Sequence, residues 1–194
     1  MKLNWIKHEH FIFLDRISKG DGERLLERVK GLKSKKLNLS FEATEELVGG
    51  FEYGSQFFLD RHGLEIFKEV MQPCLERYFK EINHSKANSR EIESAWVNMA
   101  SHSNFNPPHF HVDCRYSGVL YLRLDPNSVN PAKKDGKIYF SFDQHDPSSF
   151  KFNGIKEYQP SELEVVIFPA WQVHFVYPNQ SKVEDRISIA FNIS

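Results

Sequence analysis

The segment Arg186-Ile187-Ser188-Ile189-Ala190-Phe191-Asn192-Ile193 alternates without a break, with arginine, serine, alanine and asparagine in one set of positions and isoleucine and phenylalanine in the other. An extended strand turns successive side chains to opposite faces, so one face is polar and small and the other wholly apolar. A polar face turned to solvent is the default reading of such a pattern. Here we place the polar face inside a barrel, lining a pocket, and the apolar face under the helices of the first half, which would otherwise have nothing to cover. Burying four such apolar side chains contributes about 1.5–3 kcal/mol each, so one strand serves both the scaffold and the pocket.

Working outward, short β-branched and aromatic runs separated by turns fill the second half. Strands are expected over Ile92–Ser101, His109–Asp113, Gly118–Leu124, Lys137–Phe142, Leu163–Phe168 and Val173–Tyr177, besides Arg186–Ile193. The first half reads differently. A short strand at His10–Leu14 precedes the turn Gly20-Asp21-Gly22, and Leu25, Leu26, Val29 and Leu32 then recur at helical spacing within Glu23–Leu32. A second helix over Leu64–Ile82 carries the stripe Phe67, Val70, Met71, Cys74, Leu75, Tyr78, Phe79 and Ile82, with Pro73 expected to kink or split it. The stripe reads as core packing. The fold class is therefore mainly β with flanking helices (α+β), as a double-stranded β-helix of the jelly-roll or cupin-like type with the helices packed on one sheet. A single domain over 1–194 is expected, its residues 1–90 a helix-rich support and 91–194 the core.

The chemistry concentrates in His109-Phe110-His111-Val112-Asp113 and in His174. If 109–113 is a strand, His111 and Asp113 point to the same side, and His174 from a later strand completes a two-histidine, one-carboxylate face of the kind that holds non-haem Fe(II) and leaves positions open. His109 has the same two-residue offset from His111, so His109, His111 and His174 form a competing three-histidine set. Six of the nine histidines (His8, His10, His62, His84, His102 and His145) have no partner at ligand spacing and read as surface or local hydrogen-bonding groups. Arg186, twelve residues after His174, carries a planar guanidinium suited to a carboxylate, and Ser188 shares its face. The alternative for Arg186 is a surface ion pair with Glu184 or Asp185. Tyr121 and Asn98 are polar groups within apolar strands and candidates for hydrogen bonds to the same anion.

These stretches also carry a resemblance. Ser117-Gly118-Val119-Leu120-Tyr121-Leu122, Phe168-Pro169-Ala170-Trp171-Gln172-Val173-His174, Pro178-Asn179 and Arg186-Ile187-Ser188-Ile189-Ala190-Phe191-Asn192 resemble the 2-oxoglutarate and Fe(II)-dependent oxygenase family of bacteria and phages, over about Trp96–Ile193. The resemblance implies a double-stranded β-helix enzyme with Fe(II), 2-oxoglutarate as cosubstrate and O2, which couples 2-oxoglutarate decarboxylation to substrate oxidation, with hydroxylation and release of succinate and CO2 as the outcome. It implies Arg186, with Ser188, Tyr121 and Asn98, as the cosubstrate site, and His111, Asp113 and His174, or His109 among them, as the metal ligands. Relatives often show His-x-His at this point without an acidic residue two places on, but the set favoured here is His111, Asp113 and His174, with His109 close by as a supporting or substrate-side group and as the alternative ligand. Two other classes also stand: a cupin-type metalloenzyme without 2-oxoglutarate, although no glutamate follows within eleven residues of His111, and a non-catalytic binding barrel.

A formal charge of −1 over 194 residues gives no general affinity for nucleic acid or anionic membranes. No apolar run has the length of a membrane span and the first residues lack a signal-peptide pattern, so a cytoplasmic location is expected. Cys74 and Cys114 make neither a disulfide framework nor a Cys-x-x-Cys zinc motif. The partner is expected to be a small molecule or a peptide or protein side chain, selected by the loops Asp125–Gly136 and His145–Gly154. The oligomeric state is open, a homodimer being one option.

Overall fold

The computed structural model describes residues 12–34, 55–82, 90–124, 136–142, 154–178 and 186–194. In chain order the elements are β1 (Phe13–Arg16), α1 (Lys19–Ser34), β2 (Ser55–Phe58), α2 (Arg61–Glu81), β3 (Ile92–Ala100), β4 (Asn106–His109), β5 (Tyr116–Arg123), β6 (Ile138–Ser141), β7 (Ile155–Tyr158), β8 (Glu164–Pro169), β9 (His174–Val176) and β10 (Arg186–Ile193). Among the described residues ten strands form two antiparallel sheets, a major one in the order β1-β8-β5-β10-β3-β2 and a minor one in the order β4-β9-β6-β7. The result is a jelly roll of two facing open sheets, so the barrel expected from the sequence is not closed. The two expected substrate-selecting loops fall almost entirely outside the described residues, as do Pro178's neighbour Asn179 and the acidic pair Glu184 and Asp185.

The face assignment of β10 agrees with the packing. Ile187, Ile189, Phe191 and Ile193 are buried in one core with Phe67, Met71, Leu75 and Tyr78 of α2 and Leu25 and Val29 of α1. Phe67 meets Phe191 edge-on, with ring centroids 5.4 Å apart. The two strands flanking β10 are β3 and β5, in the register Ser188↔Asn98 and Ser188↔Tyr121. Arg186, Ser188, Ala190 and Asn192 therefore present their polar row, with β3 and β5 alongside, to the space between the sheets.

Helix α2 begins three residues before the position read from the apolar stripe, because Asp60 caps it by accepting from the Gly63 amide at 2.8 Å. The Asp60 carboxylate also pairs with Arg28 of α1, which draws it well below the usual carboxylate range and ties the two helices. Pro73 neither kinks the helix into two elements nor ends it. It lies on the exposed side, while Met71, Cys74 and Leu75 hold the buried side against the sheet.

Two differences from the sequence reading bear on the site. The strand expected over 109–113 ends at His109. Strands β2 and β7, four residues each, are too short for their alternation to have been legible, and β2 widens the major sheet beyond β3. No helix among the described residues is long and apolar enough to cross a membrane.

Candidate metal centre and anion pocket

A cavity of about 400 Å³ opens between the sheets, and the polar row of β10 lines it from Arg186 to Asn192. Asn98 from β3, Tyr121 from β5, and His109, His111 and His174 line the same space. Every residue singled out from the sequence except Asp113 thus borders one cavity.

The three imidazoles converge because two short strands pair. His109 on β4 and His174 on β9 are Cα partners, and their ring centroids lie 4.2 Å apart. His111 follows the end of β4 in irregular backbone, where its amide donates to the Ala170 carbonyl at 2.9 Å and its ring stacks on His174 at 5.2 Å with 7° between the planes. One nitrogen of each of the three rings lies within 4.8 Å of those of the other two.

Asp113 stands apart from this group. Beyond His109 the backbone leaves the strand, so the two-residue rule that would align Asp113 with His111 no longer applies. Asp113 takes a left-handed φ of 60°, tolerated by aspartate, and its side chain is exposed. The group that comes together is His109, His111 and His174, the alternative set, in place of the favoured His111, Asp113 and His174.

The rings are held neutral, the form in which an imidazole could bind a metal. Burial holds the His174 pKa down to about 3 and the His111 pKa down to about 4, with the charge of His109 adding to both, and burial likewise lowers His109. Nδ1 of His109 lies 2.7 Å from the Pro107 carbonyl oxygen, and Nδ1 of His174 lies 3.0 Å from that of Gln172. A carbonyl can only accept, so each Nδ1 carries the proton and each Nε2 keeps a lone pair. Phe168 and Phe140 back His174, at 4.6 Å and 6.4 Å between centroids, and fix the plane of its ring.

At the other end of the polar row, Arg186 is 9% exposed and its guanidinium lies over the Tyr121 ring at 5.1 Å. Among the described residues its Nε has no hydrogen-bond partner, and neither do the Tyr121 hydroxyl and Asn98 Oδ1, all of them buried. A buried cation with an unpaired N–H beside an unpaired hydroxyl costs stability unless an anion completes it, whereas Asn98 Oδ1 is an acceptor and awaits a donor. Ser188, 2% exposed, adds a hydroxyl between them. Burial pushes the Tyr121 pKa up to about 12 against the opposing pull of Arg186, so the phenol stays protonated and able to donate.

The residues from Ser94 to Asn192 match the model of the family described as "Putative 2OG-Fe(II) oxygenase", about half of the chain. The chain belongs to this family. As a 2-oxoglutarate-dependent dioxygenase it uses Fe(II), 2-oxoglutarate and O2, and the donor set above fits such a pair of ligands: three neutral imidazoles for a divalent metal, and a buried guanidinium whose Nε lacks a partner for a carboxylate. No curated protein sequence matches the chain. Among solved structures it is similar to a Pseudomonas putida prolyl-4-hydroxylase, at 18% identity and a TM-score of 0.62, covering 94% of this chain and 92% of that one. A prolyl hydroxylase from Trichoplax adhaerens, solved with a hypoxia inducible factor peptide fragment, gives 13%, 0.63, 94% and 82%. HygX from Streptomyces hygroscopicus, solved with nickel and 2-oxoglutarate, gives 10%, 0.61, 94% and 82%. At these identities the likeness establishes the shared fold.

Sequence reasoning passed over part of the cavity wall. Trp96 lies 5.6 Å from His111 ring to ring, Phe58 on β2 meets Trp96 edge-on at 6.1 Å, and Gln56 continues that wall. Trp96 was legible as a partner of Asn98 by alternation, whereas Gln56 and Phe58 depend on β2, which no sequence signal announced.

Proposed function

We propose that this oxygenase holds Fe(II) with His109, His111 and His174, holds the distal carboxylate of 2-oxoglutarate with Arg186, and hydroxylates a C–H group of a small molecule or a peptide side chain with release of succinate and CO2. The observation that carries the reading is the meeting, in one cavity, of three mutually close neutral imidazoles and a buried guanidinium whose Nε lacks a partner. Bound Fe(II), with 2-oxoglutarate and dioxygen, supplies the oxidising power.

Everything else is the work of the chain. His109, His111 and His174 would hold the Fe(II). Because all three imidazoles are neutral, they would leave the charge of a bound divalent cation uncompensated, which would favour an anionic cosubstrate more than a set containing a carboxylate would. Arg186 gives that dianion a fixed orientation through paired hydrogen bonds, with Ser188 and the protonated Tyr121 as further donors and Asn98 beside them. The aromatic wall of Phe58 and Trp96 borders the histidine cluster and presents a surface for an apolar part of the substrate. Peptides are a reasonable class to try first, since one structural neighbour was solved with a peptide fragment.

Anaerobic reconstitution with Fe(II), followed by 2-oxoglutarate, tests the reading. A metal-to-ligand charge-transfer band in the visible should appear, and air should then release succinate. Bound iron without this band would favour a metalloenzyme that does not use 2-oxoglutarate, and absence of metal binding would favour a binding module.

A further inference from the structure

The floor of the cavity is laid in transverse rows. Gln56 of β2 pairs with Asn98 of β3, Asn98 with Ser188 of β10, and Ser188 with Tyr121 of β5, so four polar residues cross the major sheet in one line. The next line, two residues along each strand, is Phe58, Trp96, Ala190 and Val119, all apolar. All eight residues line the cavity. The Tyr121 end of the polar row lies under Arg186, where the anion pocket is. Its Gln56 end lies on β2, the edge strand of the major sheet among the described residues, and Phe58 on the same strand is 41% exposed.

Asn98 stands between the two ends, and its buried Oδ1 has no partner among the described residues. That atom can only accept. A 2-oxoglutarate dianion carries no N–H or O–H, so the group that satisfies Asn98 Oδ1 is not the cosubstrate. Gln56 is the Cα partner of Asn98 on the same face, which sets the two Cβ atoms about 4.5–5.5 Å apart, and its carboxamide supplies a donor beside that acceptor. Such a pair matches a ligand that shows a donor and an acceptor side by side. A primary carboxamide does so, whereas a trans peptide group turns its N–H and C=O to opposite sides. We propose that Gln56 and Asn98 determine substrate specificity: they bind a primary carboxamide, whose N–H donates to Asn98 Oδ1 and whose carbonyl accepts from Gln56 Nε2, while the apolar group that carries it rests on Phe58 and Trp96. Trp96 lies 5.6 Å from His111 ring to ring, so that apolar group is brought beside the histidine cluster. The inference rests on the metal and cosubstrate sites proposed above.

Full-length protein loaded with Zn(II) and 2-oxoglutarate, titrated with benzamide, N-methylbenzamide and methyl benzoate by ligand-observed NMR, gives a readout independent of turnover. Benzamide should bind about tenfold or more tighter than methyl benzoate, which has no N–H for Asn98 Oδ1, and tighter than N-methylbenzamide, whose trans amide is of the peptide kind. Gln56→Met and Asn98→Ala should each abolish the preference for benzamide over the ester. Gln56, half-buried on the edge strand, decides the matter even if the Asn98 variant does not fold. No benzamide binding, equal affinity for the ester, or a preference retained in folded Gln56→Met would overturn the inference. N-methylbenzamide bound as tightly as benzamide would overturn the primary carboxamide in favour of a peptide group. The signals of 2-oxoglutarate in the same samples report on the earlier reading: no binding of it, with the benzamide preference intact, would count against the cosubstrate site alone.

Discussion

His109 and His174 face each other as Cα partners across β4 and β9, their rings 4.2 Å apart, although 65 residues separate them in the chain. This pairing sets which side chains can share a metal. It brings His109, rather than Asp113, to the same point as His111.

The ligand set can be decided by a pair of variants. His109→Ala should lose Fe(II) or Co(II) binding, as should His111→Ala and His174→Ala, while the apo fold persists. Asp113→Ala should keep wild-type metal affinity because the side chain is exposed and outside the cluster, with stability lowered by about 1 kcal/mol because alanine tolerates the left-handed φ of 60° less well than aspartate. The reverse pattern, with Asp113→Ala losing the metal, would restore the two-histidine, one-carboxylate set.

The anion pocket makes a separate prediction. Hydrogen bonds from a charged donor are worth about 1.5–3 kcal/mol each. Arg186→Lys keeps the charge but not the paired geometry, and should weaken 2-oxoglutarate binding roughly tenfold or more, since each 1.4 kcal/mol is a factor of ten. Arg186→Ala should lose nearly all of it, with metal affinity spared in both. Isothermal titration of anaerobic, metal-loaded protein measures this, and undiminished binding in Arg186→Ala would place the cosubstrate elsewhere.

Metal-free protein should lose stability as pH falls. His111 and His174 have folded-state pKa values of about 4 and about 3, below the 6.5 of an unperturbed imidazole. Between those values the unfolded chain binds the protons that the folded chain refuses, so stability is full above about pH 6.5 and declines toward pH 4. The melting temperature of the His111→Asn, His174→Gln double variant should fall less steeply over this window than that of wild type. Identical slopes would show that these imidazoles are not held neutral by the fold.

Gly118 tests the packing of β5 against its neighbours. A Cβ there would come within 2.8 Å of the Val166 carbonyl oxygen and of Phe191 Cε1. The carbonyl belongs to the paired strand β8 and cannot retreat, so Gly118→Ala should cost about 1–3 kcal/mol in urea denaturation. A neutral result would mean that β5 and β8 lie further apart than described.

Much of this protein can be read from short-range pattern. The alternation of Arg186–Ile193 determined both faces of β10, because a pleated strand leaves no other way to arrange its side chains, and the stripe of α2 determined which residues cover it. The composition of the site was legible too: His109, His111, His174, Arg186, Ser188, Tyr121 and Asn98 all border the cavity. What the sequence could not determine was where β4 stops. Period two continues as long as the strand does, and nothing within His109–Asp113 says that the backbone turns to a φ of 60° at Asp113 instead of running on. That end is set by β4 pairing with β9 and by the His111 amide bonding to Ala170, contacts with residues some sixty positions away. The same holds for β2, which pairs along the edge that β3 offers it. Hydrogen-bonding partners so distant in sequence are chosen by the packed fold, and only tertiary structure decides them.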